Sequence, residues 1–177
     1  EDQVQQRRQN LEAITRLGYA AYPNKFDTTH TVSELVSAHG NTEGPALDAN
    51  RVQTVTAGRI VGIRSFGKTC FYVLSDGRSR IQVYVKQGEI GEREQQLSKL
   101  LDAGDQIGVS GHLFRTKTNE LSIWAGSLQF LAKCFLPLPE KWHGLSDPEQ
   151  VYRQRYLDLI VNPESRQRLM LRPRIVS

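Results

Sequence analysis

The sequence predicts a mainly β chain in which five strands close into a small barrel, with a helical extension before it and a helical segment after it. Three observations carry that expectation. Five runs of β-forming residues lie between about Thr54 and Ala132, with one helical run between the third and the fourth. The first run contains Gly58 and Gly62, which let a strand bend sharply or bulge. No long crossover separates the runs, which favours closure over an open α+β sheet of the same elements.

The barrel elements follow in order. Thr54–Ile63 is the first strand, with Val55, Ile60, Val61 and Ile63 as β-formers, and Ser65 to Lys68 form a tight loop. Cys70–Ser75 is the second strand, ended by the hairpin signal Asp76-Gly77. In the third, Arg80–Val85, strand periodicity puts Ile81, Val83 and Val85 on one face and Arg80, Gln82 and Tyr84 on the other. Glu92–Leu101 is helical, with Leu97, Leu100 and Leu101 on one side, and Ala103-Gly104-Asp105 stops it. Gln106–Phe114 is the fourth strand, Thr116–Asn119 a turn, and Glu120–Trp124 the start of the fifth. Three strands, a helix and two strands is the order of the OB-fold, a Greek-key barrel that often binds oligonucleotides.

Residues 1–50 form the helical extension. Val4, Leu11, Ile14 and Leu17 recur near helical spacing over 3–17, with Gly18 as the cap. Thr31 and Glu34 have capping-box spacing ahead of a short helix that ends at Gly40. Turn-forming residues dominate 41–50, which predicts a loop. Beyond a barrel domain of residues 51–133, residues 134–147 form a linker stiffened by Pro137 and Pro139. The segment 148–177 is helical. Ser146 or Asp147 caps a helix that opens at Pro148 and runs to about Val161. Asn162-Pro163-Glu164 starts another, which Pro173 should break or follow with a third.

With 38% hydrophobic and 24% charged residues, the composition is that of a soluble globular protein. No apolar run approaches the roughly 20 residues of a membrane span. The polar opening EDQVQQRRQN is no signal peptide, so a cytoplasmic protein without membrane partners is expected. Cys70 and Cys134 make no metal spacing and the four histidines stand singly, so no metal site is expected. Positive charge concentrates on the barrel: residues 51–133 carry twelve basic and seven acidic groups, against four and seven over 1–50. That excess would attract a polyanion, although it also suits an ordinary solubilising surface.

Arg64, Phe71, Gln82 and Glu120 should gather on one barrel face. Phe71 and Tyr72 alternate, so one ring faces out; an outward Phe71 would stack on a base, and an inward one would join the core. The Gln82 amide is both donor and acceptor and can match the edge of a uracil, unless it is a plain surface glutamine. Glu120 would accept from a base N–H or a ribose hydroxyl; otherwise it pairs with Lys117 or Arg115 in the hairpin. Arg64, Lys68, Arg78 and Arg115 would contact phosphates or stack as planar cations.

Three stretches, GRIVGIRSFGKTCFYVLSDGRSRIQVYV, LFRTKTNELSIWA and LPLPEKWHGLSDPEQVYRQRYLDLI, resemble the amino-terminal part of bacterial-type lysyl-tRNA synthetases, and YPNKF and THTVSEL are similar too. The resemblance implies an anticodon-binding OB barrel ahead of a class II catalytic domain, with residues 148–177 reaching only its beginning. It implies that Phe71 stacks on the central anticodon uridine, that Gln82 and Glu120 recognise that base, and that Arg64 is the arginine of the first hairpin. It implies tRNA(Lys) as the partner. For the whole enzyme it implies a homodimer, ATP and magnesium, and the ligation of lysine to tRNA. No catalytic residue and no cofactor is expected within these 177 residues. The rival expectation is a free-standing OB module for single-stranded nucleic acid or a protein partner.

Overall fold

The computed structural model describes residues 2–138 and 147–176, in two compact units that divide between Pro137 and Leu138. The first unit is built on five strands: β1 Gln53–Phe66, β2 Thr69–Ser75, β3 Arg80–Lys86, β4 Gln106–Arg115 and β5 Leu121–Ala132. They close in the order β1-β2-β3-β5-β4, and all pairs are antiparallel except β3 with β5.

Closure depends on the length and curvature of β1. Its first half pairs with β4 (Gln53 opposite His112, Arg59 opposite Gln106) and its second half with β2. At the changeover Ile60 lies opposite Leu74 and Gly62 opposite Val73, so Val61 is an extra residue that bends the strand. At Gly58 a Cβ would press on the Ser75 carbonyl 3.0 Å away, so the strand passes here only as backbone. β1 runs to Phe66, further than the tight loop expected at Ser65, which leaves only Gly67 and Lys68 in the turn. Gly67 takes φ 57° there, in the left-handed region open to glycine.

Alternation along the strands sends Ile60, Tyr72, Leu74, Val83, Ile107, Val109, Leu113 and Ile123 into the interior. One end is plugged by a helix between β3 and β4, Glu92–Leu100, through the buried Leu97. The buried Tyr72 hydroxyl bonds Ser98 of that helix through its carbonyl at 2.9 Å and its Oγ at 2.6 Å. Burial pushes this phenol well above its ordinary range.

Three helices precede the barrel: α1 Asp2–Arg16, α2 Val32–His39 and α3 Gly44–Asn50, so the plug helix is α4. α1 packs on α4 and is held by a buried polar cluster. Arg7 donates to the carbonyls of Ala103 (3.0 Å) and Cys134 (2.6 Å), and Asn10 donates to Asp102 (3.0 Å). The Lys133 ammonium, fully buried, bonds Asp102 at 2.5 Å and Asp105 at 2.8 Å. The capping box of Thr31 and Glu34 is present at the head of α2. Asp76 accepts from the Ser33 N–H and hydroxyl and from the N–H groups of Arg78 and Ser79, which ties α2 to the β2–β3 turn. Phe26 lies flat where Gly108 leaves no Cβ. Residues 44–50 are helical rather than the expected loop: Pro45 pre-sets the first turn and Leu47 is buried against the barrel.

In the second unit the helix expected from Pro148 to Val161 is two, α5 Pro148–Arg153 and α6 Arg155–Val161, parted at Gln154 (φ −118°, ψ 54°). Asp147 caps α5 through the Glu149 N–H; the alternative cap Ser146 and the linker residues 139–146, with the KWHGL motif, lie outside the described residues. The buried Asp158 gathers Arg155 and Asn162. α7, Pro163–Val176, passes through Pro173 without breaking. Pro173 has no N–H to give the Leu169 carbonyl, but the turn around it is exposed, so water can serve that carbonyl. Among the described residues no helix is long and apolar enough to cross a membrane.

Candidate nucleic-acid interface

Inward placement of Tyr72, Val83 and Ile123 turns their neighbours outward. The register then aligns Arg64 (β1) with Phe71 (β2), Phe71 with Tyr84 (β3), and Tyr84 with Trp124 (β5). The result is a row across four strands. Phe71 and Tyr84 ring centroids are 5.2 Å apart, and those of Tyr84 and Trp124 are 4.6 Å apart. Phe71 is half-buried, with the aromatic row on one side of it and the exposed Arg64 on the other.

One step along β3 and β5 from this row lies the polar pair. Gln82 pairs with Ser122 across the ladder, and Glu120 sits just before β5 begins. The Gln82 amide is held from both ends. Its Nε2 donates to Glu120 Oε2 at 3.1 Å, and its Oε1 accepts from the Ser122 hydroxyl at 2.9 Å. Glu120 therefore faces Gln82 and makes no ion pair with Lys117 or Arg115. With one N–H, one amide lone pair and one carboxylate oxygen still free, the pair offers a donor beside acceptors, next to a flat ring.

The cations divide sharply. Arg64 and Lys68 are exposed and enter no ion pair among the described residues. Arg78 lies in the β2–β3 turn, at the opposite end of that hairpin from Lys68, roughly 20 Å away along a seven-residue strand. Arg115, expected as a phosphate contact, has guanidinium donors engaged within the protein. Its guanidinium donates to the carbonyls of Thr42 (2.7 Å), Gly40 (2.6 Å) and Asn119 (2.7 Å) and fastens the end of α2 to the barrel.

Ser122, Tyr84 and Trp124 were not singled out from the sequence. Tyr84 shares the outward face of β3 with Gln82, so strand periodicity contained that signal. Ser122 and Trp124 depend on the parallel pairing of β3 with β5, which no local pattern announces. Trp124 also edges a cleft of about 410 Å³ with Asp48, Arg51, Glu89, His112 and Phe114. There the Trp124 N–H donates to Glu89 at 2.6 Å. Glu89 also takes a hydrogen bond from Lys86, which holds the Glu89 carboxyl below its usual range and raises the Lys86 ammonium.

Residues 54–131 match the tRNA anti-codon family of OB-fold nucleic acid binding domains. The whole chain is similar to lysine–tRNA ligases. It is 43% identical to that of Carboxydothermus hydrogenoformans over 173 residues, which covers 98% of this chain and 34% of the relative. It is 39% identical to that of Bacillus subtilis, covering 99% of this chain and 35% of the relative. With that of Cupriavidus pinatubonensis it shares 42% identity over 98% of this chain and 34% of the relative. The chain thus spans about a third of the length of the curated relatives it matches.

Proposed function

We propose that this chain is part of a lysine–tRNA ligase like the relatives it matches, that its barrel reads the anticodon of a lysine tRNA, and that the central uridine stacks on Phe71. The observation that carries this reading is the Gln82 amide, locked by Glu120 and Ser122 beside an outward ring. Lysine anticodons share a central uridine. Uracil presents an N3–H donor flanked by two carbonyl acceptors. The free N–H of Gln82 meets a carbonyl, and the free Glu120 oxygen or Gln82 lone pair meets N3–H. Cytosine lacks that N–H and shows an amino group in place of one carbonyl, so the same fixed pair opposes it. Holding the amide in advance removes an ordering cost from binding. Arg64 and Lys68 supply charge for the adjoining phosphates.

Within the longer protein, which we read as a homodimeric ligase that activates lysine with ATP and esterifies its tRNA, this region's part is orientation. Gripping the anticodon fixes where the distant acceptor end arrives. Among the described residues no group of three or more His, Cys, Asp or Glu side chains is placed to hold a metal ion. Neither magnesium nor ATP is assigned to any residue here.

Fluorescence anisotropy with a lysine anticodon stem-loop tests the reading. Phe71→Ala should weaken binding roughly fivefold to a hundredfold, because one base–aromatic stack is worth about 1–3 kcal/mol, and Gln82→Ala should weaken it too, each at unchanged thermal midpoint. Equal affinity of both variants and wild type overturns the assignment. Equal affinity of wild type for uridine-centred and adenosine-centred loops would favour the rival, an OB module indifferent to sequence.

A further inference from the structure

Phe66 ends β1 at the tip of the β1–β2 hairpin, and the residue is 65% exposed. An exposed phenylalanine gains little from burial on folding, and this one stands beside the base-reading ring. Its centroid is 6.2 Å from that of Phe71, with the planes 73° apart. Phe66 lies two residues beyond Arg64 on the same strand face, and Arg64 is the register partner of Phe71. Arg64 and Lys68, both exposed, flank it in sequence on either side.

We propose that Phe66 is a second stacking platform, which takes the base of a nucleotide next to the one on Phe71. Two rings set at 73° cannot share one flat base. Consecutive bases of a splayed single-stranded loop turn away from each other, and a platform set nearly at right angles to the first meets the turned one. The flanking cations match the phosphate that joins the two nucleotides. Among the described residues no hydrogen-bonding side chain is fixed against Phe66 as Glu120 and Ser122 are against Gln82, so this platform adds affinity without base identity. The inference rests on the anticodon reading above.

The test uses the same stem-loop, with a uridine-centred loop and with single abasic residues at each position flanking the centre. Phe66→Ala should lose roughly tenfold or more in affinity with the thermal midpoint unchanged, and Phe66→Trp should bind like wild type. One flanking abasic loop should weaken wild type but cost Phe66→Ala nothing further, and swapping that flanking base among the four should change wild-type affinity little. The inference is overturned if Phe66→Ala binds like wild type, or if its loss persists in full against both flanking abasic loops. A wild type that keeps its uridine preference while Phe66→Ala is silent sinks this inference alone. A wild type without uridine preference sinks the anticodon reading, and this inference with it.

Discussion

Lys133 and Lys68 belong to one barrel and carry one charge, yet they live in opposite surroundings. Lys133 is fully buried; two carboxylates and the Leu100 carbonyl take up its donors, and Arg7 and Asn10 close the cluster from α1. Lys68 stands in a two-residue turn beside Arg64 and Phe66, with no ion-pair partner among the described residues. The first cluster is sealed and staples the helical extension to the barrel. The second is open and has its donors left for something else. Placing the aromatic and cationic face where the backbone needs none of those groups keeps recognition and folding separable, so variants on the two sides should fail in different assays.

The largest effect should come from the sealed side. Lys133→Met keeps most of the side-chain volume but strands Asp105, a buried carboxylate, beside Asp102. Removing one partner of a buried pair costs about 3–5 kcal/mol. Burial already pushes the Asp105 carboxyl up, against the opposing hydrogen bonds from the Cys134 N–H and Lys133. A carboxyl raised in the folded state contributes stability that is present below its unfolded pKa and lost as pH rises through the folded value. Taking away the ammonium raises Asp105 further, so the deficit should grow with pH. Urea midpoints at acidic and neutral pH measure this. A deficit that shrinks as pH rises would mean Lys133 is not what holds the pair ionised. Affinity of the fraction that remains folded should not change.

A middle-sized effect belongs to Asp76, which sits between the two regions. Burial tends to raise this carboxyl, but hydrogen bonds from the Ser33 hydroxyl and from the Ser79, Arg78 and Ser33 N–H groups outweigh it and hold it low. Its stability contribution is therefore present above the ordinary carboxylate pKa and lost as pH falls through the depressed value. Asp76→Asn should cost about 2 kcal/mol near neutral pH, the range for hydrogen bonds to a charged group. The gap to wild type should close on acidification, as both forms become neutral. A gap independent of pH would show that the carboxylate charge is irrelevant to docking α2.

Strand alternation was legible because it is local. Ile81, Val83 and Val85 point in, and Gln82 and Tyr84 point out, as a two-residue period dictates. The same logic located Phe71 beside an inward Tyr72 once the barrel had an inside. What the sequence did not disclose needed partners far along the chain. Arg115 looks like any surface arginine until the carbonyls just past α2, more than 70 residues earlier, arrive to take its donors. Ser122 looks like a strand serine until the parallel β3–β5 pairing sets it under Gln82. Residues 44–50 read as a loop because Gly, Pro, Asp and Asn dominate them, and burial of Leu47 overrides that composition.

The smallest effect is the most direct comparison of two cations. Lys68→Ala removes an exposed charge with no partner to strand, so stability should move by no more than about 0.5 kcal/mol. Affinity for the stem-loop should fall severalfold. The dependence of log affinity on log salt should become shallower by about 0.7, the share of one phosphate contact on a single strand. Arg115→Ala carries the same formal change in charge but leaves three carbonyls of the α2 end and the β4–β5 turn without their donor. It should lower the urea midpoint and leave the salt slope of the folded fraction where it was. Titrations at several salt concentrations, paired with unfolding curves, separate the two. A shallower slope for Arg115→Ala with unchanged stability would mean that α2 lets go of the guanidinium when RNA binds, and the division between sealed and open cations would then hold only for the free protein.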